Sequence, residues 1–334
     1  MVIRLFIRGN SCISERSELI YMKPKRVGVL MGGPSCEREI SIKSGKAVCQ
    51  ALANKNIECI PIELEDVSDT NGYKDIVKER LSSLNIDVAF IALHGEFGED
   101  GTAQKILEDI DIPYTGSKVL ASQLGMDKIA SKDIFRLKNI PVARHEVLEK
   151  VSLNGCNAKI YFEKLGPKIV IKPFDKGSSM GLSIIESEKD FYRAAINGFR
   201  YSQKIIIEEY IPGREITVGI VEDKTLPIVE ILPKRDFFDW TAKYEKSGTE
   251  YIVPARINQR EYRLCQDVAF NAHKALGVRS FSRVDMILNN NKPIVLEVNT
   301  IPGLTHASLL PKAALAAGID FEGLCLKILE SASW

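Results

Sequence analysis

The sequence predicts an α/β protein of two or three domains that begins with a doubly wound parallel-sheet unit. Three observations predict it. Short apolar runs alternate with helical patterns in the N-terminal third. A chain of 334 residues exceeds what one hydrophobic core commonly serves. Farther on, β-branched runs follow one another at hairpin spacing, and the last pair carries two acidic groups.

The first strands are read at Val27–Met31, Ile57–Leu64 and Val88–Leu93, each a short apolar run. Between the first two, Ile40, Ala47, Val48, Ala51 and Leu52 recur on one helical face. A second helix, Thr102–Ile110, buries Ala103, Ile106, Leu107 and Ile110, with Thr102 as its N-cap. Strands separated by helices imply parallel pairing. In such units ligands lie beyond the carboxyl ends of the strands. Gly32-Gly33-Pro34-Ser35 and His94-Gly95-Glu96-Phe97-Gly98 stand at those ends.

After Gly116 the pattern changes. Ser117–Asn139 reads as mostly helical, Lys168–Lys172 and Leu182–Ile185 as two strands, and Lys204–Tyr210 as a third. Ile216–Val221 then pairs with Leu226–Leu232, a polar aromatic stretch runs from Phe237 to Tyr251, and a helix spans about Asn258 to Leu276. A hairpin follows, Ser282–Leu288 with Pro293–Thr300, around the turn N-N-N-K. Residues 1–21 lack a periodic apolar face, and M-V-I-R-L-F-I-R-G-N-S-C is too short and too interrupted by Arg for a signal segment, so residues 1–24 read as a disordered tail or as the product of an upstream start codon, with Met22 the more natural beginning.

Composition narrows the function. Lys and Arg number 45 against 44 Asp and Glu, so bulk charge gives no reason to expect nucleic-acid binding. No apolar stretch is long enough to span a bilayer. The seven cysteines are scattered, with no C-x-x-C, and read as reduced thiols, not a disulfide frame or zinc site.

The late hairpin carries the strongest chemical signal. Alternation with Leu288 opposite Ile294 places Asp285 opposite Glu297 and Arg283 opposite Asn299. Opposed carboxylates about 5 Å apart repel by about 3 kcal/mol at an effective dielectric of about 20. A cation between them removes that repulsion, and two carboxylates with an amide oxygen suit Mg²⁺ completed by phosphate and water. A solvated face with a surface Arg–Asp pair would look similar in most hairpins. Here, however, the hairpin leads into T-I-P-G-L-T-H, a Gly/Pro loop placed to meet a ligand.

Other segments are weaker alone. Lys172 opens a run of small residues that ends at Gly181, where free backbone N–H groups can surround an anion. The usual phosphate fingerprints are absent, and a flexible hairpin loop fits this run equally well. Glu208-Glu209-Tyr210-Ile211 ends a strand before Pro-Gly and suits a hinge that reads a purine edge, or an ordinary edge strand. Glu37 opens the first helix, where a carboxylate is common for dipole reasons; the alternative is contact with a substrate ammonium. His94 alone reads as structural more readily than as catalytic.

Taken together, G-G-P-S-C-E-R-E-I-S (32–41), A-L-H-G-E-F-G-E-D-G-T (92–102), P-Y-T-G-S (113–117), M-D-K (126–128), I-K-P-F-D-K-G-S-S-M-G (171–181), A-K-Y (242–244), R-V-D (283–285) and L-E-V-N-T-I-P-G-L-T-H-A-S-L-L-P (296–311) resemble the D-alanine–D-alanine ligases of the ATP-grasp superfamily. The resemblance runs in order from about Lys25 onward. It implies the three-domain ATP-grasp fold, with a substrate-binding domain over 25–117, a central domain over 118–211 and a metal-binding domain over 212–334. It also implies ATP-dependent ligation of two D-alanines through an acyl phosphate, for peptidoglycan precursor synthesis. ATP and Mg²⁺ or Mn²⁺ would be the cofactors, the chain a cytoplasmic homodimer.

The resemblance also assigns residues. Asp285, Glu297 and Asn299 match the metal ligands, and Lys128, Lys172, Ser179, Glu208, Glu209, Tyr210, Ile211 and Glu215 the nucleotide site. Lys243 matches the residue that reaches the transferred phosphate, and Arg283 and Gly303 the oxyanion stabilisers. Glu37 matches the first alanine's ammonium partner, with Ser178 and Tyr244 closing over it. His94 and Ser308 match the second-substrate site. Phe238 and Trp240 stand where many relatives carry tyrosines, which puts phenol hydrogen bonds there in doubt.

Sister ligases that take D-lactate second tend to lack the tyrosine at position 244; D-serine stays open. The N-terminal segments lie outside the ATP machinery and argue against a different carboxylate–amine ligase. A non-catalytic nucleotide-binding protein would lose the metal carboxylates or Arg283, and neither is lost.

Overall fold

A computed structural model describes residues 26–65, 72–232 and 249–333. The tail and the expected lid residues Lys243 and Tyr244, with Phe238 and Trp240, lie outside the described residues.

The first sheet is parallel, in the order β2-β1-β3, with β1 Val27–Gly32, β2 Cys59–Leu64 and β3 Val88–Ile91. Helices α1 (Arg38–Ala53) and α2 (Tyr73–Ser83) make the crossovers, and α3 (Thr102–Asp109) follows β3. Every residue of β1 is buried, as a central parallel strand requires. Two expected boundaries shift. The chain is still turning at Ile57, whose N–H returns to the Leu52 carbonyl, so β2 starts at Cys59. Thr102 is not the N-cap of α3: Gly101 holds that place, and the Asp100 carboxylate takes the Thr102 N–H at 2.9 Å.

The expected helix over 117–139 is two helices, α4 (Val119–Met126) and α5 (Lys128–Leu137). Asp127 is extended between them, and its carboxylate accepts from Ile129 N and Ala130 N, both at 2.9 Å. Capping α5 in this way fixes where Lys128 begins the helix. The second sheet is antiparallel, in the order β4-β7-β5-β6: β4 His145–Glu149, β5 Ile169–Pro173, β6 Ser183–Ile185 and β7 Lys204–Glu209. Helices α6 (Ala158–Leu165) and α7 (Phe191–Phe199) accompany it. Phe191, Ile169, Ile171 and Ile205 give this unit its own core.

Residues 210–213 then link β7 to β8, which lies in a different sheet. That third sheet runs β11-β10-β8-β12-β13, with β9 against β8: β8 Arg214–Val221, β9 Lys224–Thr225, β10 Val229–Leu232, β11 Glu250–Ile252, β12 Phe281–Asn289 and β13 Lys292–Asn299. The strand expected from Leu226 therefore starts at Val229. Leu226 instead turns back, its N–H bonding to the Gly219 carbonyl at 2.8 Å. Helix α8 (Gln259–Ala275) opens with a capping box between Asn258 and Glu261. The chain ends with α9 (Leu309–Ala316) and α10 (Phe321–Glu330). Leu324 and Ile328 of α10 pack with Val27 and Val29 of β1 in one core, so the C-terminal helices help to cover the first sheet.

His273, in the last turn of α8, is fully buried, with Nδ1 2.7 Å from Ser282 Oγ. Burial lowers its pKa from 6.5 to about 4. The unfolded chain therefore takes up a proton that the folded chain refuses as pH falls through that window. This contribution is complete above pH 6.5, is lost as pH drops towards 4, and amounts to about 3 kcal/mol. The melting temperature should fall more steeply over that range than it does in His273→Gln, measured by thermal scans.

Candidate active site

The hairpin β12–β13 carries the predicted acidic face, with one correction to its register. Asp285 lies opposite Glu297 and Arg283 opposite Asn299, but Leu288 faces Pro293, and Ile287 faces Ile294. The register shifts between Asp285 and Met286, so Leu296 is an extra residue on β13. Without that bulge, Asp285 would face Leu296 and Glu297 would face the buried Val284. The bulge thus re-aims the glutamate, a common use of bulges beside functional sites.

Each carboxylate already has a protein cation, Arg283 on Asp285 and Lys128 on Glu297, beside the face expected to hold a metal. Arg283 grips Asp285 in bidentate fashion, Nε to Oδ1 at 2.8 Å and Nη2 to Oδ2 at 2.7 Å. Thr217 Oγ1 donates to Asp285 Oδ1 at 2.6 Å, and Asn299 Nδ2 donates to Oδ2 at 3.1 Å. Lys128 Nζ lies 3.2 Å from Glu297 Oε2. Among the described residues no three His, Cys, Asp or Glu side chains form a metal cluster. Two carboxylates and an amide oxygen are hard oxygen donors of the type that suits a Mg²⁺ completed by phosphate and water.

Lys128 also ties this hairpin to the loop between β5 and β6. Its backbone N–H bonds to the Phe174 carbonyl at 2.9 Å and its Nζ to the Lys176 carbonyl at 2.8 Å. Within the loop, Ser178 and Ser179 both have positive φ, 50° and 58°. Successive left-handed residues turn backbone N–H groups to one side, a form that suits an anion. Ser178 Oγ donates to Glu37 Oε1, and Lys176 pairs with Glu96, so the loop is fastened to the first sheet's end at two points. Gly95 is required there: its φ is +70°, and a Cβ would meet Ser35 Oγ at 2.3 Å and Glu37 Oε2 at 2.9 Å.

Lys172 of β5 projects to Glu208 of β7, Nζ to Oε2 at 2.8 Å. Burial opposes charge on both, but their attraction wins. The Lys172 pKa rises and that of Glu208, held also by Lys132, falls to about 2. Lys132 of α5 is 0% exposed and 2.9 Å from Glu208 Oε1. Sequence reasoning missed it, because a lysine in an amphipathic helix reads as a surface residue. Glu209 is not available to a ligand in the same way: Arg144 Nε bonds to its Oε2 and Arg144 N to its Oε1, both at 2.8 Å. Tyr210 lies under Lys168, whose Nζ is 4.3 Å from the ring centroid. Ile211 and Glu215 are half-buried beside the linker.

On the other side of Glu37 sits His94. It is 3% exposed, with Nδ1 3.0 Å from the Ile301 carbonyl and Nε2 2.9 Å from Ser44 Oγ. A carbonyl only accepts, so the proton is on Nδ1. Burial holds the pKa low, which keeps the ring neutral. Both nitrogens are thus engaged within the protein, and Ser44 Oγ also accepts from Leu304 N at 3.2 Å. The group secures the loop after β13. Glu99 accepts the Gly95 N–H at 2.9 Å; burial and nearby Glu37 push its pKa to about 8. In the loop after β13, a Cβ on Gly303 would meet Ser308 Oγ at 2.9 Å, so Gly permits the close approach. Ser308 stands at the N-terminus of α9, where backbone N–H groups favour a carboxylate.

Family models described as D-ala D-ala ligase N-terminus and D-ala D-ala ligase C-terminus match residues 65–117 and 134–330. A D-alanine–D-alanine ligase of Geotalea uraniireducens is 44% identical over 93% of this chain and 97% of its own length. A crystal structure of the D-alanine–D-alanine ligase from Bacillus anthracis complexed with ATP superposes with a TM-score of 0.78 at 34% identity, covering 92% of this chain and 97% of that one. The VanG D-Ala:D-Ser ligase of Enterococcus faecalis gives a TM-score of 0.78 at 28% identity, with 91% and 98% covered.

Proposed function

The chain belongs to the D-alanine–D-alanine ligase family, and from that premise we infer an ADP-forming ligase that joins two D-alanines at the expense of ATP. The dipeptide serves peptidoglycan precursor synthesis. One observation supports this reading above the others: a continuous run of contacts from Glu297 through Lys128 to the 174–181 loop and on, through Ser178, to Glu37. It ties an acidic face, phosphate-binding lysines and a substrate carboxylate into one site.

In the proposed mechanism Glu37 holds the ammonium of the first D-alanine, and the phosphate loop, including Ser179, packs over it. Lys128 and Lys172 hold nucleotide phosphates. Residues 208–211 line the base, the Glu208 and Glu209 side chains being taken by lysines and Arg144; Glu215 lies beyond the linker. Mg²⁺ or Mn²⁺ held by Asp285, Glu297 and Asn299 would neutralise phosphate charge. The γ-phosphoryl group passes to the first carboxylate, giving an acyl phosphate and ADP. The second amine, as the free base, attacks the acyl carbon, and the tetrahedral species expels phosphate. Arg283 and the Gly303 N–H face the developing oxyanion; Ser308 and the α9 N-terminus receive the second carboxylate. His94 acts by fixing the loop that carries these groups. Such catalysis rests on positioning and electrostatics.

Among the described residues no helix is long and apolar enough to cross a membrane. We place the enzyme in the cytoplasm, where ATP is supplied, as a homodimer with domain divisions near residues 117 and 211. The test is phosphate release with ATP, Mg²⁺ and pairs of D-amino acids, with the products separated. One phosphate per D-alanyl-D-alanine is expected. A depsipeptide or a D-alanyl-D-serine product dominating at equal acceptor concentrations would overturn the assignment of the second substrate.

A further inference from the structure

Helix α5 presents Lys128 and Lys132 on one face, four residues apart. Lys128 serves Glu297 and the phosphate loop. Lys132 touches no solvent and contacts Glu208, which already has Lys172 at 2.8 Å. For stability alone the second ammonium is surplus. A buried carboxylate needs one well-placed cation, and burying another beside Lys172 and Lys128 brings like charges together. Its burial and those neighbours lower the Lys132 pKa, which Glu208 only partly offsets. A role in charge balance explains its presence. Two ammoniums and one carboxylate leave the array with a net charge of +1. Without Lys132, Lys172 and Glu208 would form a neutral pair, and Lys172 would have little charge left for phosphate.

We propose that Lys132 is a positioning residue for nucleotide binding: by sharing Glu208, it leaves the Lys172 ammonium free to act on the phosphates. The inference rests on the ATP-site reading above. Lys132 contacts Glu208 and acts on the nucleotide site through it. Lys132→Met keeps most of the buried stem and removes the charge. The KM for ATP should rise about tenfold, with kcat and the KM for D-alanine little changed. Lys132→Arg should restore most of the loss.

The decisive variant is Lys132→Met combined with Glu208→Gln. It returns the array to a net charge of +1, so ATP affinity, measured by calorimetry with ATP and Mg²⁺, should recover relative to Lys132→Met alone. A purely structural role predicts the opposite, since a second buried partner is removed. The double variant buries no carboxylate at position 208 and, compared with wild type, also serves if the single one fails to fold. ATP affinity within twofold of wild type in Lys132→Met, or no recovery in the double variant, would overturn the proposal. Lys172→Met separates the two readings: if it binds ATP normally, the nucleotide-site reading fails; if it loses ATP while Lys132→Met does not, only the role of Lys132 falls.

Discussion

Glu297→Gln should lower ligase turnover about a hundredfold to a thousandfold and leave the melting temperature nearly unchanged. The magnitude is that of removing one charged group aimed at a phosphoryl-transfer site. Gln has the shape of Glu, so the bulged hairpin keeps its packing. What changes is charge: the site retains Asp285 as its one carboxylate, and Lys128 loses its ionic partner at 3.2 Å. The affinity for Mg²⁺ should therefore fall, and the Mg²⁺ concentration for half-maximal rate should rise. Chelation of divalent ions should abolish wild-type turnover, and Mg²⁺ should restore it. Activity assays across a Mg²⁺ series, beside thermal scans, read all of this. A variant that turns over normally at ordinary Mg²⁺ would dismiss the metal assignment.

Several features of the fold and site are legible in the sequence. The opposition of Asp285 to Glu297 follows from strand periodicity, and the structure keeps it, although through a bulge that periodicity alone cannot announce. Parallel pairing around β1 followed from alternation of apolar runs and helices. Other features depend on contacts between distant segments. Ser178 meets Glu37 across 141 positions, a contact that spacing cannot predict and that only family resemblance suggested. Gly101 took the cap from Thr102 because its left-handed φ turns the chain there, and Asp100 accepts the Thr102 N–H. Lys132 was invisible for a different reason: its pattern is that of a solvated helix face until β7 covers it with Glu208. Helices α6 and α7 went unread, although α7 buries Phe191, Ala194, Ala195 and Phe199 on one face.

Arg283 should be the residue whose loss most sharply separates binding from chemistry. It forms a two-bond fork on Asp285, 16% of its side chain exposed, beside Asn299 and the loop that carries Gly303. Two roles are open to such a guanidinium. It can orient Asp285, in which case its loss weakens metal binding. It can also stabilise the oxyanion of the tetrahedral species, in which case its loss lowers kcat even when every ligand is bound. A preorganised donor at an oxyanion contributes about a hundredfold to a thousandfold in rate. Lysine cannot reproduce the planar fork, so Arg283→Lys keeps charge but not the paired geometry. We expect Arg283→Lys at saturating Mg²⁺, ATP and D-alanine to retain only about one hundredth of the wild-type kcat. The KM for ATP should move less than kcat does. A rise in the Mg²⁺ requirement alone, with full kcat once Mg²⁺ saturates, would assign Arg283 to holding Asp285 and remove it from the oxyanion. Full activity at every Mg²⁺ concentration would remove it from both roles.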